Sequence, residues 1–299
     1  MGFPDGRSDF ELWQIDVFAQ APLTGNPAAV VFGAERADTA LMQAIARETN
    51  LSETVFLLPP RQGGDAFMRT FTTRREINFA VHPALAAAHA FCEATNPGCT
   101  AVRFEHSRGD LRIWRDGPNA PWFATVPQPK FETTVFSPAD LAGLFGLSVD
   151  DLAPGSPQIV ATGVPWLLIE LATESAISRA HPDMTAIADL TRSISAVGIT
   201  LFRPNPRPGI SAELRTFAPA EGIYEDPVCG SCAGSVAAAL RRRDPAFAAQ
   251  ALHHLEQGHT IHRPGTIMVR LEDTDIHVGG PTLTVMRGHF NREIALCPA

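Results

Sequence analysis

The chain repeats itself once. Arg69-Thr70-Phe71-Thr72-Thr73 is echoed by Arg215-Thr216-Phe217-Ala218-Pro219. Eleven residues after Phe71 stands His82, heading an alanine-rich stretch, and fourteen residues after Phe217 stands Ser231, heading another. The offset is 146 residues at the first feature and 149 at the second, so one small insertion separates the copies. A matched tripeptide alone carries little weight in 299 residues. The shared order of strand, gap, polar residue and alanine-rich helix gives it weight. Two copies with no period of about 20–50 residues indicate a duplicated domain and not a solenoid. Pro127 and Pro129, in the segment Val126 to Lys130, mark the boundary between the halves.

Local patterning fills in each half. Trp13 to Val17 alternates apolar and polar residues, and Ala28 to Phe32 is an apolar run; both read as strands. Thr39 to Glu48 has helical spacing, with Asp38 or Thr39 as its cap. Strands are expected at Thr54 to Leu58 and Met68 to Phe71, and a helix over Pro83 to Glu93, directly after His82. The second half is expected to hold helices at Pro138 to Phe145 and Thr185 to Thr191. Its strands are expected at Ile159 to Val164, Trp166 to Leu171, Ile199 to Phe202 and Ala212 to Phe217. A second alanine-rich helix spans Ala233 to Arg243, closing on three arginines that suit a helix C-terminus.

Composition removes several classes. Hydrophobic residues make up 45% and charged residues 19%, a globular balance. The formal charge of -8 offers no pull toward nucleic acid. No apolar run reaches the roughly 18 residues that span a bilayer, and the polar start MGFPDGRSDFELW lacks a secretory core. A cytoplasmic protein is expected. Five cysteines, Cys92, Cys99, Cys229, Cys232 and Cys297, argue against a disulfide framework. Lys130 is the sole lysine and reads as part of an exposed linker, which argues against Schiff-base chemistry with pyridoxal phosphate. There is no glycine-rich dinucleotide fingerprint and no phosphate-binding loop.

The residues suited to chemistry fall in both halves. Glu53, in Asn50-Leu51-Ser52-Glu53-Thr54, stands at the entry of a strand and could act as a general base if burial raised its pKa; the competing reading is a surface glutamate. His82, held out of helical geometry by Pro83, is a proton shuttle or a capping histidine. The densest cluster is Glu225-Asp226-Pro227-Val228-Cys229-Gly230-Ser231-Cys232. There Asp226 is an acid or base, or a turn residue. Gly230 permits close backbone approach, and Ser231 caps the helix or donates to a ligand. Cys229, near a helix start, could have a lowered pKa and serve as a thiolate base, or pair with Cys232 in redox chemistry. His253, His254, His259 and His262 read as solvent-facing rather than as a metal site, so no metal is expected. Two helix starts facing one cleft would offer N–H donors to a carboxylate.

Taken together, these segments resemble the phenazine-biosynthesis isomerase-like (PhzF-like) family of the proline racemase and diaminopimelate epimerase superfamily. The resemblance runs through Asp16-Val17-Phe18, Gly25-Asn26-Pro27, Asn50 to Thr54, Phe79-Ala80-Val81-His82-Pro83, Thr162 to Trp166, Glu225-Asp226-Pro227, Gly230-Ser231, Glu256-Gln257-Gly258 and Arg263-Pro264-Gly265. It implies an α+β fold of two pseudo-symmetric domains, each a barrel-like sheet wrapped around a central helix. Those domains would be residues 1–127, joined by a last strand near 286–297, and residues 128–285. It implies a homodimer, no cofactor, and a site in the interdomain cleft. Glu53 would be the principal acid/base, with His82 and Asp226 assisting. Asn26, Val81, Cys229, Gly230 and Ser231 would line the substrate. The family commonly has glycine where Val81 stands, and a β-branched residue there resists unusual φ. It commonly has threonine where Cys229 stands.

The expected activity is a cofactor-independent proton shift on a small carboxylate. The alternatives are an epimerase or racemase using Cys229 as thiolate base, or a weakened homologue that only binds its ligand.

Overall fold

The structure, a computed structural model, describes residues 10–78, 80–133, 135–155 and 157–291. Contacts divide the described chain into two units, residues up to Thr125 together with those from Gly279 onward, and Val126–Val278.

The first unit begins with β1 (Glu11–Val17), β2 (Asn26–Phe32), α1 (Thr39–Thr49), β3 (Glu53–Leu58), β4 (Ala66–Phe71) and β5 (Glu76–Ile77). It continues with α2 (Val81–Thr95), β6 (Ala101–His106), β7 (Gly109–Trp114) and β8 (Trp122–Thr125). The second unit holds β9 (Lys130–Thr133), α3 (Pro138–Gly143), β10 (Gln158–Ala161), β11 (Pro165–Glu170), α4 (Glu174–Arg179) and α5 (Met184–Ser193). It runs on through β12 (Gly198–Arg207), β13 (Ile210–Ala218), β14 (Ile223–Asp226), α6 (Gly230–Arg243), α7 (Pro245–Ala248), β15 (Leu252–Gln257) and β16 (Gly265–Glu272). β17 (Asp275–Gly280) crosses the boundary, and β18 (Thr282–His289) lies in the first unit.

The duplication is written in the ladders. In the first unit β1–β2 is antiparallel, β2–β3 parallel, β3–β4 antiparallel, β4–β5 antiparallel and β4–β6 parallel. In the second, β10–β11, β11–β12, β12–β13, β13–β14 and β13–β15 follow the same sequence of senses. Each first strand also takes one antiparallel neighbour from elsewhere in the chain: β18 beside β1, and β9 beside β10. Lys130, read from sequence as a linker residue, therefore opens a strand, although its side chain is exposed. Of the last strand expected near 286–297, Met286 to His289 belong to β18, and 292–297 lie outside the described residues.

Alanine makes the central helices possible. α2 packs against β1, β2, β3, β6, β7, β8 and β18, with Ala84, Ala86, Ala87, Ala88 and Ala90 all buried. A helix buried on nearly every side needs small residues where strands press close. α6 packs likewise against β10, β11 and β16. Each unit is thus a mixed α+β sheet packed around a central helix, as the family resemblance implied. A second layer covers the outside. Met42, Ile45 and Ala46 of α1 join Val31, Phe56 and Phe71, while Ile177 and Ile187 of α4 and α5 join Ile199, Leu201 and Phe217. The two repeat phenylalanines thus occupy matching places.

Both alanine-rich helices start earlier than the sequence indicated. α2 begins at Val81 and α6 at Gly230. A further departure concerns sulfur: Cys92 and Cys99 are joined in a disulfide, against the expectation from the odd cysteine count. Cys297 lies outside the described residues. No helix among the described residues is long and apolar enough to cross a membrane.

Candidate active site

In the first unit the chemistry gathers where β2, β3 and α2 begin. α1 ends at Asn50, whose φ of 52° is the left-handed turn that asparagine tolerates. The chain then enters β3 at Glu53, which sits opposite Ala28 in the parallel ladder with β2. Asn26 opens β2 and is fully buried. Gly25 before it has φ +65°, and a Cβ there would collide with the Val17 carbonyl, so glycine is required. Ser52 Oγ donates to Asn26 Oδ1 at 3.4 Å and lies 3.5 Å from His82 Nε2.

Glu53 is the titratable centre of this cluster. It is buried, and its Oε2 lies 3.2 Å from His82 Nε2. That approach is close in distance but poorly aligned, and Oε2 makes no hydrogen bond among the described residues. We therefore read the contact as proximity and not as a formed ion pair. Burial pushes the Glu53 pKa from 4.5 up to about 7, with a smaller opposing pull from the Ser52 hydrogen bond. A carboxyl group of this kind is populated in both protonation states near neutral pH.

His82 lies in the first turn of α2, one residue inside the helix, and not at its cap as the sequence reading had it. The cap position is Ala80, which gives no side-chain hydrogen bond to the helix start. Val81 is the first helical residue, buried, and has no positive φ. The backbone here makes no demand that a β-branched residue would resist.

In the second unit the chemistry gathers between β14 and α6. Asp226 ends β14 and is buried; its Oδ1 accepts from the Val228 backbone at 3.2 Å. Gln257, at the end of β15, clamps the turn that follows. Its Nε2 donates to the Asp226 carbonyl at 2.7 Å, and its Oε1 accepts from Cys229 N at 3.2 Å. Gly258, with φ +89°, leaves room for the Pro227 carbonyl, which an added Cβ would approach to 2.7 Å.

Ser231 does not cap α6. That position belongs to Cys229, whose Sγ accepts from Cys232 N at 3.4 Å. Instead Ser231 Oγ accepts from Trp166 Nε1 at 3.0 Å, and the Ser231 carbonyl accepts from Thr162 Oγ1 at 3.0 Å. Indole N–H only donates, so this bond fixes Ser231 Oγ as acceptor there and leaves the hydroxyl proton to point elsewhere. The lowered Cys229 pKa expected at a helix start is also overturned. Burial, the Cys232 thiol and the charge of Asp226 push the Cys229 thiol well above its ordinary value. A thiolate base at Cys229 is disfavoured on that ground.

The structure thus groups Asn26, Glu53, Val81 and His82 in one unit and Asp226, Cys229, Gly230 and Ser231 in the other. Sequence reasoning did not single out Ser52, Trp166 or Gln257. Each lay inside a segment already conspicuous, but only the fold shows which atoms they hold. The histidine-rich stretch is partly internal: buried His253 bonds Ser211 Oγ at 3.0 Å and the Phe247 carbonyl at 3.0 Å, and stacks on Phe247. No cluster of three metal-ligating side chains occurs among the described residues.

Comparison with known proteins matches residues 15–288 to the family described as phenazine biosynthesis-like protein, PhzC-PhzF. The chain is 34% identical over 289 residues to trans-2,3-dihydro-3-hydroxyanthranilate isomerase of Pseudomonas fluorescens, covering 92% of this chain and 96% of that one. Among solved structures it is similar to a phenazine biosynthesis protein of the PhzF family from Bacillus anthracis. The TM-score is 0.84 at 22% identity, over 94% of this chain and 99% of that one. It is also similar to a hydroxyproline epimerase from Agrobacterium vitis solved with trans-4-hydroxy-L-proline, with a TM-score of 0.62 at 11% identity, over 95% and 92% of the two chains. At those identities the two structures speak for the fold alone.

Proposed function

Because the chain belongs to the phenazine biosynthesis-like (PhzC-PhzF) family, we propose that it is an isomerase that shifts a proton on a small carboxylate substrate by acid/base catalysis, without a cofactor. The observation that carries this reading is Glu53: buried, beside His82, and raised to a pKa of about 7. Near neutral pH such a carboxylate can take a proton from carbon and, once protonated, return it. His82 Nε2, 3.2 Å from Glu53 Oε2, is placed to exchange that proton or steady the charged form. In the second unit the hydroxyl of Ser231 and the first-turn backbone of α6 suit a substrate carboxylate, because helix starts carry unpaired N–H donors. Asp226 or His82 assists the reprotonation. In this reading both groups act on one substrate in the interdomain cleft, and the functional particle is a homodimer.

The relative in Pseudomonas fluorescens points to a cyclic, unsaturated amino carboxylate such as trans-2,3-dihydro-3-hydroxyanthranilate as the first compound to try. Incubation in deuterated water would show solvent deuterium entering the product. Glu53→Gln should slow that exchange by about 10²–10⁴-fold. Exchange by Glu53→Gln at the wild-type rate would sink the assignment. Calorimetric binding of the compound with neither exchange nor turnover would reduce the protein to a ligand-binding homologue.

A further inference from the structure

The isomerase reading leaves two thiols without work. Cys229 and Cys232 are three apart across the first turn of α6, a spacing that sets their side chains on one helix face. Both are buried and neither is in a disulfide. Their sulfurs lie 2.6 Å apart, much nearer a disulfide bond of about 2.05 Å than an ordinary non-bonded sulfur contact. The remaining described cysteines, Cys92 and Cys99, are already bonded to each other in the first unit.

We propose that Cys229 and Cys232 form a reversible oxidation site, closed to a disulfide by a small hydroperoxide and reopened by a dithiol reductant. The Cys229 sulfur, in the small fraction that has given up its proton, attacks one peroxide oxygen; the O–O bond breaks, the departing hydroxide takes up that thiol proton and, for hydrogen peroxide, leaves as water. Cys229 is then a sulfenic acid. The Cys232 thiol attacks that sulfur, its proton leaves with the hydroxyl as a second water, and the S–S bond forms. Two thiols lose two hydrogens and two electrons, and the peroxide accepts both. Reduction by dithiothreitol reverses the change through a mixed disulfide. The surroundings favour the closed form. Asp226 and the neighbouring thiol oppose a thiolate here, and a dithiol whose thiolate is not stabilised lacks the feature that makes some such pairs strong oxidants.

The change falls on the proposed carboxylate site, and this part rests on the isomerase reading. Cys229 Sγ caps α6 through Cys232 N and lies 3.4 Å from Ser231 Oγ. Tying the two sulfurs together alters that cap and the neighbour of Ser231, so substrate binding should weaken while Glu53, in the other unit, is untouched.

The test treats the reduced full chain with hydrogen peroxide under native conditions. It then reads the tryptic peptide Thr216 to Arg241, which holds Cys229 and Cys232 and no other cysteine. The expected result is a mass lower by two hydrogen atoms, restored by dithiothreitol. In Cys232→Ser the same treatment should leave Cys229 as a sulfenic acid that dimedone traps. Uncrosslinked thiols, or over-oxidation of wild-type Cys229 to sulfinic acid, would overturn the proposal; this arm needs no variant to fold. With a working substrate, oxidation should raise KM by about fivefold, and dithiothreitol should restore it. An unchanged KM in the crosslinked protein would overturn the link to the carboxylate site. A crosslink in a protein that turns over nothing would refute the isomerase reading and leave the thiol site standing.

Discussion

The two copies of Arg-Thr-Phe build the same device in different surroundings. In the first unit, Arg69 Nε and Nη2 grip Glu76 at 2.8 and 2.7 Å, and the guanidinium lies 5.1 Å from the Phe71 ring. In the second, Arg215 Nε and Nη2 grip Glu225 at 2.9 and 2.9 Å, and the guanidinium lies 5.1 Å from the Phe217 ring. Burial separates them. Arg69 and Glu76 side chains are 18% and 39% exposed; Arg215 and Glu225 are 9% and 13% exposed. Arg215 also donates to the carbonyls of Ile177 and Ala180, and so ties α4 to β13. Arg69 likewise reaches α1, at Thr39 Oγ1 (3.0 Å) and Met42 Sδ (3.3 Å), so the same hairpin device is more exposed in one unit and more buried in the other.

That contrast is the largest effect to measure. Arg215→Ala leaves the mostly buried Glu225 with only the Thr260 hydroxyl and removes the donor from two carbonyls, a loss of about 3 kcal/mol. Arg69→Ala removes a half-exposed pair worth about 0–1 kcal/mol. Urea unfolding of the two variants decides it, and equal losses would break the comparison.

The same split between units governs what was legible in the sequence. The repeat, the alanine-rich helices and the Glu53 and Asp226 segments could be read because each is local: a spacing, a propensity, a motif. Helix starts were misplaced by two or three residues because proline and glycine punctuation suggested later entry, whereas the real caps are Ala80, which contributes only backbone, and Cys229, an unusual capping side chain. Trp166, Gln257 and the Cys92–Cys99 bond could not be read, because each joins atoms that only the folded ladders bring together. The raised pKa of Glu53 was conditional on a burial that the sequence could pose and not decide. For Cys229 the same burial reversed the expected sign, since it outweighed the benefit of a helix start.

Glu53 gives the next effect, in pH and stability together. Its folded pKa of about 7 lies above the ordinary 4.5, so the folded chain holds this proton more tightly than the unfolded one. Stability from this group is fully present below about 4.5 and falls as pH rises to about 7, by about 3 kcal/mol in all. Glu53→Gln never ionises and should escape that loss. Relative to wild type it should therefore gain about 3 kcal/mol on moving from pH 4.5 to pH 8 while losing turnover. Urea unfolding at both pH values checks this; an equal difference at each would mean that Glu53 is not held in a low-dielectric site.

The smallest effects sharpen the comparison most, because they separate two kinds of change at the two helix starts. Trp166→Phe keeps an aromatic ring and removes the donor to Ser231 Oγ, a bond worth about 1 kcal/mol. If Ser231 binds the ground-state carboxylate, that loss appears as a KM raised about fivefold with kcat nearly unchanged. Ser52→Ala removes a hydroxyl of similar size from the first unit, but there it holds the Glu53 pKa down. Its loss should move the midpoint of the pH–rate profile upward from about 7 and leave KM alone. One deletion reads as affinity and the other as acidity because the Ser231 hydroxyl is held by a hydrogen bond at the proposed carboxylate site, whereas burial leaves the Glu53 carboxyl balanced between its two protonation states near pH 7. Were Trp166→Phe to shift the pH profile and Ser52→Ala to shift KM, the division of labour between the units would be the reverse of the one drawn from their geometry.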